Sequence, residues 1–399
     1  MSDAKAASLT LPAPATAAPG PGLHPPRPTL RRAAPALLAY AAVRLTGLAL
    51  LAVVSAATDG DGLHRLSGRW DAVWYQRIAQ NGYGYEVRLA DGSVHSDLAF
   101  FPLLPALERG LSAVLPLDVA GAGLLVSWLA SLVAAWGIYA VGARAYGPRA
   151  GVLLAALWGA YPTAFVQSMA YTETLFTALA AWALYAVLTD RWITAGLLCA
   201  AAGLTRPTAA ALIAAIGVTA LWRLVSAYRA GGALRGHARM IAGVCLAPLG
   251  WLAYIVFVAV HEGRPFAYFD VQAGWNNRID GGVALASFVV EQFGRNVLAG
   301  LGLCAAFGLL FWVGWLCLRQ RQPLPVVVYG TAVVVISLIG SGYFGSRPRL
   351  MMPAFPLLLP AAVALAGMRR GALAGAVMGA AALASGAYGA FTLLGPGPP

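Results

Sequence analysis

Apolar residues occupy the chain in blocks of about 18 to 25, and charged residues gather in the gaps between them. Blocks begin near Ala33, Val119, Ala150, Glu173, Trp192, Thr208, Ile241, Asn296, Pro323, Leu350 and Gly371. A segment that crosses a bilayer must close its own backbone hydrogen bonds, so each block reads as a helix. The pattern predicts an all-α polytopic membrane protein with about 11 transmembrane helices over residues 33–394. The block at 192–205 is short and the next follows Arg206-Pro207 directly, which predicts a tight hairpin. Residues 1–32, rich in Pro and Ala, read as a disordered cytoplasmic tail, and residues 395–399 as a C-terminal tail. The start lacks the basic run and early apolar core of a signal peptide, so the first block is expected to be retained.

Two gaps are much longer than the rest, 58–118 and 261–295, and both mix acids, arginines and aromatics. Loops of that length usually carry function. Neither loop contains an internal repeat, and the two halves of the chain show no inverted duplication.

Composition fits the pattern. The 399 residues are 60% hydrophobic and 11% charged, against about 25% charged in soluble domains, and the mean hydropathy is +0.72. The net charge of +12 is spread among the gaps and not gathered on one soluble face, which argues against nucleic acid as a partner. With the N-terminus placed in the cytoplasm, inner segments hold fifteen of the 27 basic residues and two acids. Outer segments hold eleven Arg and thirteen acids. That bias predicts a cytoplasmic N-terminus and puts both long loops outside. Lys5 is the single lysine, a usage expected of a GC-rich genome, so the expected site is a bacterial plasma membrane. Cys199, Cys245, Cys304 and Cys317 all fall in apolar blocks and read as packed thiols without pairing or metal spacing.

Candidate chemistry concentrates in the first long loop, where "RWDAVWYQRIAQNGYGYE" places Asp71 among aromatics. Helical spacing over 70–81 would put Trp70, Val73, Trp74 and Ile78 on one face of an interfacial helix, with Asp71 at its edge one turn before Tyr75. Asp71 could be a catalytic carboxylate at headgroup depth, a partner of Arg69 or Arg77, or a helix cap. The loop leaves through "LAFFPLLPALERG", an aromatic re-entry or a proline-started interfacial helix. Glu173 in "AYTETLF" either caps a helix or meets a cation or substrate. Arg206 in "GLTRPT", with Arg347 and Arg349 in "GSRPRLMMP", could anchor to lipid phosphate or grip a substrate phosphate. Arg44 lies mid-block, where an unpaired charge is costly, and so needs a buried partner or a substrate contact. Asp59 and Asp61 lack the rest of a calcium loop, the five histidines lack zinc spacing, and no metal site is expected.

In this order, "RWDAVWYQRIAQNGYGYE", "LAFFPLLP", "AYTETLF" and "GLTRPT" resemble the landmarks of the PIG-V-like mannosyltransferases. That family adds the second mannose of the GPI anchor in eukaryotes, has bacterial relatives, and belongs to the GT-C superfamily of polytopic transferases that use lipid-linked sugars. The resemblance covers about 69–208 well and the C-terminal half loosely. The chain departs from eukaryotic members at Val73-Trp74, where some carry His, and at Pro207. The resemblance implies a GT-C-like bundle, an external active site with Asp71 as base, and a polyprenyl-phosphate-mannose donor. The acceptor would be a hydroxyl of a lipid or glycan, and no cofactor is implied. Arg206 and Arg349, with Arg347 as a lesser candidate, would meet the donor phosphate. Glu173, Trp70, Tyr75 and Arg44 complete the expected substrate-binding set. A lipid or sugar flippase, or a non-catalytic subunit of a glycan-assembly complex, is the rival reading of the same features.

Overall fold

The structure is a computed structural model that describes residues 28–58, 60–90, 92–231 and 234–395. Most of both expected tails, and Asp59 of the acidic pair, lie outside the described residues. The described chain opens with α1 (Leu30–Ala57). The first long loop then holds α2 (Gly62–Arg65), α3 (Asp71–Asn81), the strands β1 (Glu86–Arg88) and β2 (Val94–Ser96), and α4 (Leu103–Val114). Next come α5 (Val119–Tyr146), α6 (Pro148–Gly159), α7 (Thr172–Leu188), α8 (Trp192–Gly203), α9 (Ala209–Arg229), α10 (Ala238–Leu246) and α11 (Leu249–His261). The second long loop holds α12 (Ala267–Gly274) and α13 (Val283–Arg295). The chain closes with α14 (Val297–Arg319), α15 (Leu324–Ile339), α16 (Arg347–Met351), α17 (Leu359–Gly367) and α18 (Gly371–Leu394).

Every expected block starts within three residues of a helix start, yet several of these helices are too short to cross alone. Among the described residues six are long and apolar enough, with α10 and α11 counted together as Ala238–His261, or seven if the bent pair Phe344–Met351 and Phe355–Gly367 is one span. Helices α6 and α8 have 12 residues each, a rise of about 18 Å against a hydrocarbon core of roughly 30 Å. Proline and glycine set these limits: Gly147-Pro148 opens α6, Gly203 and Pro207 bound α8, and Pro353 lies at the 78° bend.

Helix α5 is the centre of the bundle, flanked by α1, α4, α6 and α7. Helix α18 packs on α1, α8 on α7 and α10, and α15 on α9. The core between them is rich in alanine, with Tyr40 stacked on Trp158 at 5.4 Å as its large element. By contrast α13 buries no residue and α14 buries only Gly300 and Cys317.

Four local expectations change. The all-α reading missed a two-stranded antiparallel ribbon that pairs Val87 with His95. On α3 the buried residues are Ala72, Tyr75, Ile78 and Ala79, while Val73 is exposed, because Phe100 and Leu104 pack against Tyr75 and Ile78. Trp70 is the residue before that helix and not its first residue. All four cysteines are free, but only Cys199 and Cys317 are packed; Cys245 and Cys304 are exposed on helix faces with few protein neighbours.

Candidate active site

Helix α3 begins at Asp71, and its start is pinned on several sides. The Asp71 N–H donates to the Tyr171 hydroxyl at 3.0 Å. Arg69 Nη2 donates to the Gly395 carbonyl at 2.5 Å, and Arg65 Nη1 to that of Leu394 at 2.9 Å, so both arginines hold the end of α18. The Arg69 guanidinium also covers the Trp70 ring at 4.2 Å. Between them Trp70 adopts φ 53° and ψ −124°, a strained backbone for a residue with a side chain.

Asp71 then meets charges from three distant segments. Arg349 Nη1, in α16, lies 2.8 Å from Asp71 Oδ2. Arg349 Nε lies 3.5 Å from Glu173 Oε1 in the first turn of α7, and Arg206 Nη1 lies 2.5 Å from the same oxygen. Side-chain exposure rises along the chain Glu173, Arg206, Arg349, Asp71, from 2% through 10% and 11% to 30%. Asp71 is therefore the accessible end of a buried, charge-balanced quartet. Arg206 Nη1 and Arg349 Nε thus share one carboxylate oxygen of Glu173. A phosphate oxygen is the kind of acceptor such N–H groups match. The Tyr171 ring lies 5.4 Å from the Arg349 guanidinium, and the Tyr75 hydroxyl lies 3.2 Å from Thr172 Oγ1, which closes the floor beside the quartet.

The structure thus brings together Asp71, Glu173, Arg206 and Arg349, with Tyr75 beside them and Trp70 next to Asp71 in the chain. Asp71 pairs with neither Arg69 nor Arg77: Arg69 holds α18 and Arg77 lies over the Tyr85 ring. Arg347 stands apart from the ion pairs. Its fork donates to the carbonyls of Ser337, Leu338 and Gly340 at 3.0, 2.8 and 2.7 Å. Arg44 also lies elsewhere, donating to the Gly159 carbonyl at 3.2 Å and to Ser168 Oγ at 2.8 Å. Asp61 caps α2 by accepting the His64 N–H at 3.1 Å. Among the described residues no three His, Cys, Asp or Glu side chains form a group that could hold a metal ion.

Sequence reasoning missed Tyr171 and Thr172 as site walls, although both lie in "AYTETLF" beside Glu173. It also missed Trp275 of the second long loop, which meets Trp74 edge-on at 5.0 Å and stacks on His95 at 4.1 Å.

Glu108 of α4 is fully buried, and neither carboxylate oxygen has a hydrogen-bond partner. It lies against α5 at Gly123, where a Cβ would come within 2.4 Å of Oε1, so only glycine leaves it room. Burial pushes its carboxyl up from 4.5 to about 9. Below about pH 4.5 the acid is protonated in folded and unfolded chains alike, and its contribution is fully present. Above that the unfolded chain releases the proton and the folded chain keeps it, so stability falls as pH rises toward about 9. Glu108→Gln should flatten this dependence. Thermal midpoints of both proteins at pH 5 and pH 8.5 check it, and equal slopes would refute a buried neutral acid.

Comparison with known proteins gives a consistent picture of the fold. The sequence profile of the dolichyl-phosphate-mannose-protein mannosyltransferases matches residues 102–257. No curated protein sequence matches the chain. The structure of ArnT from Cupriavidus metallidurans bound to undecaprenyl phosphate is similar at TM-score 0.50 and 15% identity, over 77% of this chain. The chain spans 56% of the length of that protein. The apo structure of the same protein has TM-score 0.49 at 15% identity, over 80% of this chain and 57% of its own. The matched profile is not that of the PIG-V-like family. The chain has the polytopic GT-C membrane fold, and the profile and the shared fold together support a place in the GT-C glycosyltransferase superfamily.

Proposed function

We propose that the chain is an inverting membrane glycosyltransferase that moves a sugar from a polyprenyl-phosphate donor to a hydroxyl of a lipid or glycan acceptor. The observation that carries this reading is the Asp71–Arg349 pair, 2.8 Å apart, at the accessible end of a largely buried quartet of two acids and two arginines. The profile match and the undecaprenyl phosphate bound by the ArnT of similar fold support the donor class. Mannose is the sugar favoured by the matched profile and by the sequence motifs.

In this reading the acceptor O–H gives its proton to Asp71 as its oxygen bonds to the anomeric carbon. The bond from that carbon to the phosphate oxygen breaks, and the lipid phosphate leaves as an anion. Arg349 holds the base through Nη1 and places its positive charge beside it, so one planar fork can orient Asp71 and neutralise the phosphate. Arg206 adds a second cation, and Glu173 fixes the spacing of the two. The basic bias of the opposite segments supports a site that opens on the external face.

The test uses purified protein with radiolabelled polyprenyl-phosphate-mannose and cell-envelope lipids as acceptors, with and without EDTA. Labelled product should form, and chelation should leave it. Movement of intact label across the bilayer without cleavage would instead make the protein a flippase. In intact cells, a cysteine at Ser93 should react with an impermeant thiol reagent; protection until lysis would reverse the orientation.

A further inference from the structure

Arg349 sits on α16, a helix of five residues. So short a helix does not hold its own position, and the arginine must be fixed from outside. Two features do this. Arg347, two residues earlier, ties the turn to the last carbonyls of α15 through three hydrogen bonds. The second long loop then pairs with the strand-like stretch between α15 and α16. Ile279 forms an antiparallel bridge with Gly340, and the Asp280 N–H donates to the Ile339 carbonyl at 3.0 Å. The Ser341 N–H donates to the Arg278 carbonyl at 2.7 Å. Its hydroxyl accepts the Arg278 N–H at 2.9 Å and donates to the Asn276 carbonyl at 2.7 Å.

The other end of this stretch grips the first long loop. Trp275 Nε1 donates to the Ser96 carbonyl at 2.9 Å, and Gln272 Nε2 to that of Ala99 at 3.2 Å. The approach is close enough that a Cβ at Gly274 would come within 2.3 Å of the Val94 carbonyl oxygen. Trp275 also meets Trp74, which lies one turn beyond Asp71 on α3. Residues 272–280 therefore touch both the helix that starts at the acid and the turn that carries the arginine.

We propose that Arg347 and Ser341 are positioning residues that act through Arg349, with 272–280 as the strap that sets the Arg349–Asp71 spacing. This inference rests on the transferase reading above. It gives Arg347 a role other than phosphate binding, since both its Nη atoms are already engaged by three carbonyls. A displacement of about 1 Å at a reacting group can cost on the order of 100-fold in rate, which makes the strap a control on turnover.

The test is a double-mutant cycle on folded, purified protein, with kcat and donor KM measured for polyprenyl-phosphate-mannose. Arg347→Ala should lower transfer by about 10- to 100-fold, mainly through kcat. In an Arg349→Ala background it should cost no more than about twofold further. A residue acting independently of Arg349 would instead show the full loss in both backgrounds, and that result would overturn the inference while leaving the transferase reading standing. If Arg347→Ala fails to fold, Ser341→Ala runs the same cycle, because it removes one hydroxyl and keeps the backbone pairing. Absence of transfer by the wild-type chain would overturn the transferase reading and this inference with it.

Discussion

Asp71→Asn is expected to abolish sugar transfer while leaving the protein folded and able to bind donor. Asparagine is nearly isosteric and keeps an acceptor oxygen toward Arg349. What it loses is basicity, and general-base catalysis is typically worth about 10² to 10⁴-fold. The acid is 30% exposed and Arg349 keeps Glu173 as a second acid, so the change does not strand the arginine without a counter-charge. Folded yield measured beside transfer separates loss of the base from loss of the fold. Asp97 is a poor comparison although it lies in the same loop. It is fully buried, and its carboxylate accepts the Gly84 and Tyr85 N–H groups at 3.1 and 3.0 Å. Glu86, exposed on β1, is the better control, and Glu86→Gln should retain transfer. The measurement is product per unit of folded protein, with donor binding in parallel. Near-normal turnover by Asp71→Asn would remove the proposed base.

The second large effect is on stability. Glu173 is the acid that Arg206 pairs with and the second acid for Arg349, and it is almost wholly buried. Glu173→Gln leaves Arg206 without a counter-charge in a dry site. Breaking one side of a buried pair typically costs about 3 to 5 kcal/mol, most of it the penalty of the charge left behind. The expected result is a sharp fall in thermal midpoint and in folded yield after extraction. Removing the orphaned charge as well, in Glu173→Gln with Arg206→Gln, should recover part of the loss. A midpoint for the single variant equal to that of wild type would mean that the pair carries no such weight.

The hydrophobic blocks made the helices legible, because apolar length and backbone satisfaction together leave few alternatives in a bilayer. They marked α8 as short but not α6, α7 and α15, which are apolar by composition and end at the bundle's own turns. Asp91-Gly92 between two short β-prone runs is a turn signal for the ribbon that the helical reading left unused. The site residues were legible as types, because an acid and arginines near span ends cost energy without a reason to be there. Their pairing was not. Local spacing offers Arg69 and Arg77 to Asp71, whereas the partner is Arg349, 278 residues away. Arg347 and Arg349 look alike in "SRPRL", and only the direction of each side chain separates a backbone brace from an ion pair. The cysteines show the same limit: hydropathy places them in helices but not on a face.

That separation along the chain has a consequence for how the protein is made. At about 5 to 20 residues per second, Arg206 follows Glu173 by only roughly 2 to 7 s, so a buried acid gains its counter-charge while its own helix is still being inserted. Asp71 waits roughly 15 to 55 s at the same rate for Arg349, 278 residues on. The more deeply buried ion pair is thus completed early, and the Asp71–Arg349 pair is left until the last helices emerge. A nascent chain released before α16 would hold a neutral Glu173–Arg206 core and an Asp71 with no cation, inserted but without a finished centre.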